Sequence, residues 1–226
     1  MRLRHIYVHR KLFCTLWEEL ADSLLFHIEF ARVSETPTEF RFLCNADKPI
    51  VIGDTQVSVD DEERLKYLLR GSLGESYPLC RHIREVAEEI KAQAEALLAS
   101  GQSVSLVIAS HGRASDGDDE AVKKALEELA GLPVVIVVRL CTNNKAVVSF
   151  WEDIDKNVEG LRLDVLDDFF DEADEVMNEK GNKNGWLTYG PPLHRVRELG
   201  VNEAVFDALD EKTLNLSEVV ELCELM

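Results

Sequence analysis

Apolar residues recur along this chain in two periods. Over 12–33 they fall at Leu16, Leu20, Leu24, Ile28 and Ala31, with Glu18, Glu19, Asp22 and Glu29 on other faces. That spacing predicts an amphipathic helix, stopped by Thr36-Pro37. Phe40 to Cys44 predict a strand ended by Asn45, Ala46 and Asp47, and 49–59 a short strand or hairpin. A short helix is expected over 60–70, acidic in its first turn and closed by Gly71. Ile83, Val86, Ile90, Ala94 and Leu97 predict a long helix over 79–100, ended by Gly101.

Two runs are apolar on both faces. The stretches 103–109 and 134–140 are nearly continuous in Val, Leu, Ile and Ala, as central strands of a parallel sheet are. Helices are expected over 118–130, 145–158, 167–180, 193–199 and 217–225, the last with Ser217 as N-cap, and a further strand over 161–165. Residues 6–8 offer a short first strand. The alternation of strand and helix predicts an α/β fold, a doubly wound, mostly parallel sheet of five to six strands. Residues 1–180 form this domain, and 181–226 an aromatic loop and helical extension packed on it.

Composition agrees with one globular core: 226 residues, 46% hydrophobic and 30% charged. Charge adds more. The net charge is −18, and it is uneven: residues 1–150 carry 18 basic and 23 acidic side chains, net −5, while 151–226 carry 7 and 20, net −13. Such a chain has no electrostatic footprint for nucleic acid or for an anionic membrane. No run reaches the ~18 apolar residues of a membrane span, and the basic N-terminus lacks the apolar core of a signal peptide. The five cysteines (Cys14, Cys44, Cys80, Cys141, Cys223) form no C-x-x-C pair. Scattered, odd in number and mostly within apolar runs, they read as reduced and buried, which predicts a cytoplasmic protein.

In a parallel sheet, ligands bind beyond the C-terminal ends of the strands. The loops to consider are 45–48, 71–78, 110–119 and 141–144. None carries a G-x-G-x-x-G or a P-loop. Ser110-His111-Gly112 follows a buried strand, so Ser110 offers a nucleophile, but an adjacent His111 in an extended chain points the other way. Asp116, Asp118 and Asp119 precede a helix, where acids cap amides or, alternatively, ligate a cation. The run from Asp153 to Asn157 mimics the start of a calcium loop but has Val158 where a glycine is required, so it reads as a charged helix face. The loop 186–194 predicts a plug that packs Trp186 and Tyr189 on the sheet edge, or an aromatic anchor for a partner.

Several of these residues together resemble a known family. Tyr77-Pro78-Leu79 opens a long amphipathic helix, the strand 104–109 runs into Ser110-His111-Gly112, and Ser115-Asp116-Gly117-Asp118 follows. This resembles the von Willebrand factor A (vWA) domain, which has T-P-L before its third helix and A-T-D-G at the end of its fourth strand. The stretch 134–143, the element from Val165 to Asp168 and 186–200 resemble the intracellular members, so the resemblance spans residues 16–200. It implies a protein-binding surface at the strand ends and a divalent cation at the metal-ion-dependent adhesion site (MIDAS). That cation is held by D-x-S-x-S after the first strand, the T-P-L threonine and the T-D-G aspartate.

Here the ligands are replaced. Residues 1–11 carry no acid, Tyr77 stands for the threonine and His111 for the aspartate, leaving the hydroxyls of Ser76 and Ser110. A hard cation needs several oxygen ligands, usually with carboxylates, so Mg²⁺ or Ca²⁺ would be held only if Asp116 or Asp47 supplied one. The resemblance thus implies a degenerate MIDAS, with the first motif lost or the N-terminus truncated. Three readings follow. The first is a non-enzymatic interaction module, cofactor-free, with a binding site at Ser76, Tyr77, Ser110, His111 and Asp116. The second is an α/β hydrolytic enzyme using Ser110 and His111. The third is a scaffold whose acidic C-terminal third binds a basic partner. The position of the first strand separates a filled sheet from one with a slot open to a partner strand.

Overall fold

A computed structural model describes residues 4–8, 17–43, 49–53, 63, 76–110, 112–158, 160–177, 184–201 and 203–225. Six strands form one sheet: β1 (Arg4–Val8), β2 (Thr38–Phe42), β3 (Ile50–Ile52), β4 (Val104–Ser110), β5 (Val134–Leu140) and β6 (Leu163–Leu166), in the order β3-β2-β1-β4-β5-β6. All neighbours are parallel except β2 and β3, which pair antiparallel from Thr38↔Ile52 to Phe40↔Ile50. This is the doubly wound α/β fold that the alternation predicts. β1 pairs with both β2 and β4, Ile6 standing opposite Phe40 on one side and Val107 on the other. The central position is therefore filled, and no slot separates β2 from β4.

Period-2 alternation sends each strand's side chains to two helical layers. Leu106 and Ile108 of β4, with Ile136 and Val138 of β5, face α2 (Leu79–Ala99), α3 (Asp119–Glu127) and α4 (Lys145–Asn157), where Ile83, Val86, Ile90, Leu126 and Trp151 are buried. Val107, Ala109 and Val137 point the other way, onto Leu20, Leu24 and Ile28 of α1 (Trp17–Val33). The remaining helices are α5 (Phe169–Met177), α6 (Pro191–Glu198), α7 (Ala204–Glu211) and α8 (Leu216–Leu225). They enclose a third cluster that includes Val176, Tyr189, Leu193, Phe206, Leu209 and Leu222. The end of α6 reaches the sheet: Ser105 of β4 donates its hydroxyl to the Leu199 carbonyl at 3.1 Å. Among the described residues, no helix is long and apolar enough to cross a membrane.

Several boundaries differ from the sequence expectation. α7 has the helical spacing of Val205, Phe206, Ala208 and Leu209, all buried, yet lies in a stretch with no predicted element. α8 is capped by Asn215, not Ser217. The Asn215 side chain accepts from the amides of Ser217 (2.9 Å) and Glu218 (3.2 Å), and Glu218 accepts the Asn215 amide at 2.8 Å, a reciprocal capping box. The strand predicted over 161–165 begins at Leu163, and the helix predicted from 167 begins at Phe169, after the cap Asp168. Cys80 and Cys141 are buried as expected, but Cys223 is exposed. The helix expected over 60–70 lies outside the described residues, apart from Glu63.

Gly53 follows β3 with φ of +85°, and a β-carbon there would stand 2.4 Å from the Thr36 carbonyl oxygen and 2.5 Å from that of Ala31. Gly101 also has positive φ (+63°) but faces open space. Alanine at Gly101 bears only the conformational strain, about 1 kcal/mol, whereas alanine at Gly53 must also displace backbone, so its loss should be larger by at least about 1–3 kcal/mol. Urea unfolding followed by circular dichroism measures both, and equal losses would contradict this packing.

Candidate functional site

At the strand C-terminal ends, the described residues before α2 and the loop before α3 meet, and their polar groups face each other. Ser76 and Tyr77 precede α2, and the 112–118 loop precedes α3. The Ser115 hydroxyl accepts the Tyr77 amide at 2.6 Å and lies 3.4 Å from the Ser76 hydroxyl, while the Ser115 amide donates to the Tyr77 carbonyl at 3.0 Å. Asp116 accepts the Cys80 amide at 3.1 Å on one oxygen and the Arg81 amide at 2.9 Å on the other. It is thus the cap of α2, a helix distant in sequence, where a negative charge also opposes the helix dipole. Asp118 caps α3 through the Ala121 amide at 2.9 Å, and Asp119 pairs with Arg113 at 3.3 Å. Burial, then Asp116, pushes the Cys80 thiol up to about 11, so it stays protonated.

Ser110 ends β4 with 1% of its surface exposed. Its hydroxyl donates to the Gly112 carbonyl (3.0 Å) and accepts the Gly112 amide (3.2 Å), and its carbonyl accepts the Cys141 amide at 2.7 Å. His111 lies outside the described residues. Of the five sequence-predicted site residues, the structure brings Ser76, Tyr77 and Asp116 together and folds Ser110 into its own turn.

Sequence reasoning missed a buried charge web behind these loops. Arg139 sits in the most apolar strand, fully buried. It donates to Glu198 of α6 at 2.7 Å, to Glu19 of α1, to the Leu140 carbonyl at 2.6 Å and to the Asp167 carbonyl. Glu19 in turn accepts the Phe169 amide at the start of α5 at 2.6 Å. Glu198, also fully buried, accepts from Ser23 of α1 (3.0 Å) and from Arg195 (2.8 and 2.9 Å), with the imidazoles of His194 and His27 at 3.5 and 3.7 Å. Burial opposes its ionisation, but Arg139, His27 and Arg195 outweigh it and hold the carboxyl down at about 2. Burial, then Arg139, keeps His194 neutral, near 3. The signal was present in the sequence: an arginine inside Val134–Leu140 requires a buried acid.

A second buried arginine, Arg197, extends from the same helix toward β6. It contacts Glu172 of α5, Asp210 of α7 at 3.2 Å and Asp164 of β6 at 3.5 Å. Three acids share one guanidinium, and the surplus proton settles on the most buried. Burial, against Arg197 and with Asp210 and Asp164, pushes Glu172 up to about 8.

These acids form the inner wall of a groove of about 410 Å³ along β6. β6 contributes Asp164 and, just beyond it, Asp167, which burial and then Glu152 push up to about 6. α4 adds Glu152 and Asp155, α5 adds Glu172 and Glu175, and α7 adds Asp210 and Glu211. Among the described residues lining it, eight are carboxylates and Lys156 is the one cation. Glu172, Glu175 and Asp210 bring oxygens within 4.8 Å of one another, but Arg197 already contacts two of the three.

The aromatic loop divides. Tyr189 is buried, its hydroxyl 3.0 Å from Nδ1 of His194, among the C-terminal helices rather than on the sheet edge. Trp186 is 53% exposed and so is not part of the expected plug; Phe170 of α5 is 77% exposed. Asp153 to Asn157 lie within α4, with Asn157 donating to Asp153 at 2.8 Å, as a helix face does.

No protein-family model matches this sequence, and no curated protein matches it. Among solved structures, the crystal structure of the TFIIH p34 N-terminal domain is similar, with a TM-score of 0.49 and 13% identity over 83% of this chain and 95% of that one.

The two buried glutamates tilt the pH profile in opposite directions. Glu198 is depressed from 4.5, so its contribution is present above about pH 4.5 and lost as pH falls toward about 2. Glu172 is raised, so its contribution is complete below about pH 4.5 and lost as pH rises through about 8. Glu198→Gln should cost about 3–5 kcal/mol at neutral pH and flatten the acid limb. Glu172→Gln should remove the decline between about pH 4.5 and 8. Urea midpoints across pH measure both, and unchanged slopes would contradict the assignment.

Proposed function

We propose that this protein is a non-enzymatic interaction module of the vWA type, that its MIDAS is degenerate, and that it binds a basic segment of a protein partner in the acidic groove along β6. The observation that carries this reading is the groove's lining: among the described residues it holds eight acidic side chains and one lysine, with Arg197 contacting three of the acids from behind. Burial first, and the neighbouring acids after it, raise the carboxyl groups of Asp164, Asp167 and Glu172, and a cation entering from a partner would favour their charged forms. Complementary charge of this kind sets partner choice and association rate.

The strand-end loops support the cofactor-free part. All three acids of the 112–119 loop are engaged, two as helix caps and one with Arg113. Neither the T-P-L position nor the described part of the 110–119 loop leaves an uncommitted carboxylate for a hard cation. Ser110, buried and bonded to Gly112 through both lone pair and proton, supports the non-enzymatic reading.

Oligolysine serves as the probe. Fluorescence anisotropy should show binding that weakens at least about tenfold as NaCl rises from about 50 to about 500 mM, and Asp155→Asn with Glu211→Gln should weaken it about fivefold or more at low salt. Salt-independent binding, or none, would overturn the reading. Asp116→Ala should lower stability by about 1 kcal/mol, as loss of a cap does, with melting temperatures of both proteins unmoved by Mg²⁺ or Ca²⁺. A cation-dependent rise in the parent protein that Asp116→Ala abolishes would show a working metal site.

A further inference from the structure

We infer that the basic segment is extended and adds to the sheet as a seventh strand on β6. This rests on the groove being the partner site. β6 is the outermost strand on its side, and among the described residues no strand pairs with its outer edge. Its backbone orientation follows from one bond: the Ile136 amide donates to the Arg162 carbonyl at 2.8 Å, so Arg162 faces β5. Backbone groups alternate sides along a strand, so Asp164 and Leu166 also face β5, and the N–H and C=O of Leu163 and Val165 point outward. Leu163, Asp164 and Val165 are half-buried and line the groove, so among the described residues the outward edge opens into the cavity and not onto another element.

The flanking side chains decide what can use this edge. Exposed edges invite pairing between identical chains, and inward-pointing charge is one way proteins prevent it. A second copy of this chain carries −18 and would bring its own acids against Glu152, Asp155, Glu175 and Glu211. A strand bearing lysine or arginine at alternate positions meets the opposite condition: its main chain pairs with Leu163 and Val165 while its cations face the α4 and α5–α7 walls. Main-chain bonds supply affinity and the walls supply selectivity, as in other cases of strand addition.

A synthetic peptide of alternating Lys and Val, long enough to span β6, tests this beside oligolysine. Strand addition uses every second N–H of the peptide. N-methylation of one alternate set should weaken binding at least about tenfold, and methylation of the other set by less than about threefold. Hydrogen exchange should slow at the Leu163 and Val165 amides of the full-length protein when the peptide is bound. Groove-dependent binding that ignores both methylation patterns and leaves those amides unprotected would overturn the strand pairing while the groove reading stands. Absence of any binding by either peptide would overturn both. Peptide-independent dimers in light scattering would show that the edge pairs copies of this chain instead.

Discussion

The carboxylate of Glu198 has no water to turn to. It lies between the sheet and two helices, and its charge is tolerated because Arg139, Arg195 and Ser23 donate to it from β5, α6 and α1. Replacing such a cluster by hydrocarbon is often neutral for stability, so its value lies elsewhere. A hydrocarbon contact accepts many registers, whereas this one is satisfied in a single arrangement. Glu19 extends the same constraint to the first amide of α5. The position of α5, and with it one wall of the groove, is therefore fixed from the centre of the fold.

The protein keeps two kinds of polar surface apart. At the strand ends, hydroxyls and carboxylates close loops and cap helices. Along β6, acidic side chains outnumber the described cations that line the groove. The first arrangement is rigid and saturated, and the second is open and charged. Arg197 stands at the boundary, contacting Glu172 from within while Asp164 and Asp210 reach it from the groove side.

Much of the fold was legible because buried parallel strands and amphipathic helices leave different periods. Val104–Ser110 and Val134–Leu140 could hardly be anything but central strands. The site was less legible, since its residues are joined across 59 positions for Arg139 and Glu198 and 120 for Arg139 and Glu19. Asp116 shows the same limit. From sequence it belongs to the helix that follows, but in space it caps the helix that begins at Leu79, because the loop doubles back against Tyr77. Arg139 was the one local sign, a charge in a run where none can be solvated.

The central place of β1 also shapes how the chain acquires this structure during synthesis. Its second neighbour, β4, emerges about a hundred residues later, so the middle of the sheet cannot close early. Arg139 then waits a further 59 residues for Glu198, about 3–12 s at ordinary elongation rates. Through that interval the face that α6 will cover is open, with one arginine and a row of valines exposed. Of the two carboxylates that hold Arg139 in the finished fold, Glu19 is already made and Glu198 is not, so the guanidinium is only half-matched until α6 arrives.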